Sequence, residues 1–164
     1  MTAKTNFTPD EWKVLLQSVM AAGIAITAAE PNGLWGLLKE SFAGGTELAK
    51  VKTDPGANAL IKAVVDDFNT TEGSAARDGL KAKFKGNKRA QIKDKCIETL
   101  RESAAIVDAK APGDAATYKG WLQQISQHVA EASKEGGFLG IGGVPVSEAE
   151  KATLTKISTA LKAA

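Results

Sequence analysis

Cysteine and histidine are nearly missing from this chain, with one of each, Cys96 and His128, in 164 residues. A lone cysteine excludes an internal disulfide, and the pair together cannot build a zinc finger or most zinc-hydrolase sites, which need several such ligands. An excess of charge of one sign is missing too: the net charge of +2 is too small to mark the whole chain as a nucleic-acid binder. Long lipid-like runs are absent. The longest apolar stretch, Val14 to Ala29, is interrupted by Gln17, Ser18 and Thr27 and reads as too short and too rich in small residues to span a bilayer. The opening MTAKTNFTPDEW has neither an apolar run nor a cleavage-site pattern, so no signal peptide is expected and the expected localisation is cytoplasmic.

Alternation of apolar and polar residues is also lacking, so no strand is predicted. Aromatics make up only 5% of the chain, whereas alanine is abundant, a balance that favours helices. With 43% hydrophobic and 24% charged residues the chain is globular and long enough for one real core.

Helical stripes supply the organisation. Thr8-Pro9-Asp10-Glu11 is a capping-box pattern with proline at the first helical position. Trp12, Leu15, Leu16, Val19, Gly23 and Ile26 then fall on one face of a helix over about 9 to 29, predicted to be buried on most sides. A short helix is expected from Leu34 to Phe42, stopped by Gly44-Gly45. Leu60 to Phe68, then Ala76, Leu80 and Phe84, mark two more helices. Cys96, Ile97, Leu100, Ala104 and Val107 mark a longer one from about Lys88 to Lys110. Pro112-Gly113-Asp114 reads as a break before the Tyr118, Trp121, Leu122, Ile125, Val129 stripe. Ser147-Glu148-Ala149-Glu150 is a second capping box, leading into Leu154, Ile157 and Leu161. The predicted fold is all-α: a single compact domain over 1–164, with six to eight helices joined by short Gly/Pro turns.

A faint repeat adds to this. The Trp12 and Tyr118 helices are each followed by an acidic residue and a similar turn, GLWGL from Gly33 and GFLGI from Gly137. The second turn belongs to the densest glycine cluster in the chain. It is not a P-loop, because no strand precedes it and no Gly-Lys-Ser/Thr ends it. It is not a dinucleotide fingerprint either, because Pro145 stands where the third glycine belongs. It reads as a helix cap and connector, with Phe138 and Leu139 covering the core or, as the alternative, touching a partner. Trp35 is the corresponding candidate contact in the first turn.

The C-terminal arrangement of helix, glycine loop and capped helix, VSEAEKATLTKISTAL, resembles the closing motif of TerB-like domains, an all-α family named for bacterial tellurite resistance. The match lies at Ser147 and Glu150 and covers about the last 50 residues. The resemblance implies a helical stress-response protein. That family's acidic Ala-Asp-Gly loop, suspected of holding metal, is replaced here by glycines and Phe138, so no metal site is carried over.

Candidate chemistry is sparse. The clearest surface feature is basic: Arg77, Lys81, Lys83, Lys85, Lys88, Arg89, Lys93 and Lys95 stand against only Asp78 and Asp94. Arg77, Lys81, Lys85, Lys88 and Arg89 are the candidate binding residues for an anionic partner; the alternative is a solvated helical face. His128 reads as a core-boundary histidine with only Glu131 nearby in sequence, and Cys96 as an inert buried thiol. Asp66-Asp67 and Glu30 lack calcium-loop spacing. No catalytic residues and no cofactor are assigned. The expected function is non-enzymatic, a helical surface presented to a protein partner. The alternative is a small-anion or nucleic-acid binder using residues 77–95.

Overall fold

A reciprocal cap starts the central helix. In α1 (Pro9–Ala29) the Glu11 N–H donates to the Thr8 hydroxyl at 3.2 Å, and the Thr8 N–H donates to the Glu11 carboxylate at 2.8 Å. Two orphan donors are satisfied at once, as the sequence predicts. The protein is described here by a computed structural model covering residues 4–29, 45–135 and 148–162. After a short 3-10 turn, Lys4–Asn6, and α1 come α2 (Gly45–Thr53), α3 (Ala59–Phe68), α4 (Thr71–Phe84), α5 (Arg89–Lys110), α6 (Pro112–Glu135) and α7 (Glu148–Lys162). The fold is all-α, with seven α-helices and no strand among the described residues. The helix expected over Leu34 to Phe42 lies outside them.

α1 touches α3, α4, α5, α6 and α7. Trp12, Leu15, Leu16, Val19 and Ile26 are all buried there. Starting at Pro9, the helix reaches 21 residues, long and apolar enough by length and composition to cross a bilayer. Its apolar surface is used inside the bundle instead: 78% of its most apolar window is buried against other helices.

Of the polar residues that interrupt α1, Gln17 and Ser18 bond to other helices, whereas Thr27 donates to the Gly23 carbonyl of α1 itself. The Tyr118 hydroxyl of α6 lies 3.0 Å from both the Leu15 carbonyl and the Ser18 hydroxyl. Ser126 donates to the Ala22 carbonyl at 2.8 Å, and Gln17 donates to the Ala76 carbonyl of α4 at 2.9 Å. Because Leu15 meets Tyr118 and Ala22 meets Ser126, α1 and α6 run parallel. The two helices of the suspected repeat therefore pack side by side. The turns that follow them lie outside the described residues.

Two expectations need correction. α2 was not predicted, and Gly45, read as a stop, opens it. Its buried apolar anchors, Leu48 and Val51, are too few to make a periodic stripe, and nine residues are too short to hold a helix without tertiary support. Packing on α3 supplies that support. Pro112 is not a break but the first residue of α6, where its missing N–H costs nothing. Only Ala111 separates α5 from α6.

Glycine is required at two turns. A Cβ on Gly73 would lie 2.2 Å from the Phe68 carbonyl oxygen, so the start of α4 can pack on the end of α3 only without one. Gly86 has φ +79° between α4 and α5, a left-handed turn that side chains disfavour.

Candidate binding surfaces

The predicted basic residues gather at the corner where α4 ends and α5 begins. Lys81 and Lys83 occupy the last turn of α4, where cations complement the helix dipole. Lys85 follows as the C-cap, and Lys88 is the N-cap of α5, its N–H donating to the Gln91 side chain at 2.9 Å. Lys81, Lys83, Lys85, Lys88 and Arg89 are exposed. None of the four lysines pairs with a carboxylate among the described residues. Two other cations are partly committed to the fold. The Arg77 guanidinium lies 4.8 Å from the Phe68 ring centre and donates to the Gly73 carbonyl at 3.3 Å. The Lys95 ammonium donates to the Lys83 carbonyl at 2.8 Å, tying α5 to the end of α4.

The start of α5 is electrostatically unusual. α1, α2, α4, α6 and α7 all carry acids in their first turn, where the dipole favours them. α5 has none, and Lys88 and Arg89 stand there instead. Such a placement costs a few tenths to about 1 kcal/mol at an exposed helix end.

Residues considered for chemistry are bound into the structure. Asp67 accepts from the Trp12 indole N–H at 2.9 Å and from Lys4 at 2.6 Å, while Lys4 also reaches Glu72. These carboxylates raise the Lys4 pKa, and together they clasp the N-terminal turn onto α3 and α4. No group of three His, Cys, Asp or Glu gathers among the described residues. Burial pushes the Cys96 thiol far up, which leaves it without thiolate character. His128 is partly exposed, and its Nδ1 lies 3.3 Å from the Glu47 carboxylate of α2. Glu131, its expected neighbour, accepts from Gln127 instead. Trp35, Phe138 and Leu139 lie outside the described residues, as do Glu30 and Ser147. Glu150 is buried in the first turn of α7.

Sequence reasoning missed a groove between α2 and α6, with the start of α3 at one end and a volume of about 520 Å³. The segment from α2 to the start of α3 runs antiparallel to α6 along it: Glu47 pairs toward His128 at one end, and Asn58, the N-cap of α3, donates to Asp114 at 2.7 Å at the other. Val51 and Ile61 form its apolar wall, and Trp121 is part of its lining. Trp121 is 5% exposed and tilts against Tyr118 with ring centres 5.8 Å apart. Its indole N–H is buried and has no hydrogen-bond partner among the described residues, a state that costs about 1–3 kcal/mol. Beside it, a Cβ on Gly120 would meet nothing within 4 Å. The one sequence signal for this groove is Ala116 and Gly120, two small residues one turn apart on a helix.

A second groove, of about 460 Å³, runs between α5 and α7 past Ile97 and Thr155. Its Arg101 already pairs with Glu98 at 2.5 Å.

No protein-family model, curated protein or solved structure matches the chain.

Proposed function

We propose that this chain is a cytoplasmic, non-enzymatic binding protein of the TerB-like type, which docks its α4–α5 corner on an acidic face of a protein partner. The observation that carries the reading is the start of α5, where Lys88 and Arg89 replace the acids that would stabilise the helix. Cations held against the dipole, beside Lys81, Lys83 and Lys85, which pair with no carboxylate among the described residues, suit an anionic surface brought from outside. Single-stranded nucleic acid is disfavoured because the only aromatic among these lysines, Phe84, is buried and cannot stack on bases, and salt dependence separates an acidic protein from duplex DNA. The stress-response setting rests on the Ser147-x-x-Glu150 resemblance alone.

The test compares retention on poly-L-glutamate with binding to duplex DNA across a salt series. The wild type should bind polyglutamate. Lys85→Glu/Lys88→Glu/Arg89→Glu should lose that binding with Tm nearly unchanged. Equal retention of both proteins would return the corner to a solvated face. Tighter binding to duplex DNA, with a steep salt slope, would favour the nucleic-acid reading instead.

A further inference from the structure

We infer that Asn87 is a positioning residue of the α4–α5 corner. With the left-handed turn at Gly86 it holds Lys83, Lys85 and Lys88 in fixed relation, so that the corner meets its acidic partner already ordered. The inference rests on the docking reading above and names the device that sets the shape of that surface.

Only four residues, Lys85 to Lys88, join α4 to α5, and Asn87 ties three carbonyls in that short space. Its backbone N–H donates to the Phe84 carbonyl at 3.0 Å. Its side-chain amide donates to the Lys83 carbonyl at 2.9 Å and to the Lys85 carbonyl at 3.3 Å. The end of a helix leaves carbonyls without intrahelical partners, and here one residue serves the last turn and the C-cap together. Asparagine suits the task because its amide carries two donors, whereas ionised aspartate offers none and serine only one. Gly86, at φ +79°, supplies the left-handed step that turns the chain back toward α4 just before Asn87.

The α5 side is fastened as well. The Lys95 ammonium donates to the same Lys83 carbonyl at 2.8 Å, and the Lys88 N–H donates to the Gln91 side chain at 2.9 Å. This clamp works against electrostatics. Lys83, Lys85, Lys88 and Arg89 are exposed, and like charges on a loose turn would spread apart. Holding them together costs repulsion in the free protein. It serves binding, because cations already ordered lose less conformational freedom when an anionic surface arrives.

The experiment measures the affinity of the full chain for poly-L-glutamate across a salt series, well below Tm so that every variant is folded. Asn87→Ala keeps every cation and should weaken binding about threefold to tenfold. The slope of log affinity against log salt should stay unchanged, because that slope counts the charges engaged. Lys85→Glu/Lys88→Glu/Arg89→Glu, by contrast, should flatten it. Amide hydrogen exchange at residues 83–88 should quicken in Asn87→Ala. Gly86→Ala should also weaken binding, whereas Gly86→Asn should stay within about twofold of the wild type, since asparagine tolerates a left-handed turn. If the wild type binds and Asn87→Ala binds equally well, the inference falls and the docking reading stands. A weaker Asn87→Ala whose salt slope has also dropped would overturn it too, since charge rather than position would then have been lost. A wild type that does not bind at all would remove both.

Discussion

The two faces of α6 obey different rules, although only one helical turn separates Tyr118 from Trp121. Toward α1 the helix is closed: Tyr118 and Ser126 each bond a backbone carbonyl of the neighbouring helix, and both are fully buried. Toward α2 it is looser: among the described residues a Cβ on Gly120 would meet nothing within 4 Å, and the buried Trp121 N–H has no partner. The closed face is what stability alone produces, because buried polar groups there are satisfied and packed. The looser face retains an unpaired donor and a helix-weakening glycine, both of which stability alone would remove.

The largest expected effect tests the closed face. Tyr118→Ala should cost about 3–5 kcal/mol, the scale for emptying a large core site, read from urea unfolding. Trp121→Phe should cost less than about 1.5 kcal/mol, because it keeps an aromatic and removes a donor that has no partner. If the two variants lose equally, the contrast between the faces is broken.

A pH series sharpens the same point. Burial pushes both the Cys96 thiol and the Tyr118 phenol above their ordinary values of 9.0 and 10.0, with the Ser18 hydrogen bond offsetting part of the Tyr118 shift. Above pH 9 the unfolded chain loses these protons and the folded chain keeps them. Stability should therefore be unaffected by either group below pH 9 and fall as pH rises beyond it. The slope is about 1.4 kcal/mol per pH unit for each fully engaged group. Cys96→Ala should flatten the fall between pH 9 and 10, whatever it costs in absolute stability. An unchanged slope would show that the thiol does not contribute.

Two glycines give opposite signs. Gly73→Ala should destabilise by about 1–3 kcal/mol, since its Cβ would overlap two carbonyl oxygens. Gly120→Ala should stabilise by up to about 1 kcal/mol, the helix-propensity gain at a site with room to spare. Loss of stability at Gly120 would mean that the groove is not open.

The smallest effect concerns the start of α5. Lys88→Asp places an acid at the N-cap and should raise stability by about 0.5–1 kcal/mol. It should also weaken retention on polyglutamate. A variant that gains stability and loses no binding would remove the reason offered for the cations.

Much of this was legible along the chain. The apolar spacing in α1, α3, α4, α5 and α6 named the buried residues, and the Thr8 cap was readable letter by letter, because these signals repeat within one or two turns. α2 escaped, since Leu48 and Val51 alone carry no period. So did every partner distant in sequence: Asp67 for Trp12, Glu47 for His128, Ala22 for Ser126.

By itself, then, the sequence determined which residues become helix and which stripe of each helix is buried, since both follow from short-range spacing and backbone capping. Only the tertiary structure decided that α1 and α6 run parallel, with the Tyr118 and Ser126 hydroxyls of α6 on carbonyls of α1. It alone decided that α2 lies across α6 at a distance that leaves a groove over Gly120. Those outcomes depend on which stripes pack together and how closely, and side-chain volume summed over several helices sets that.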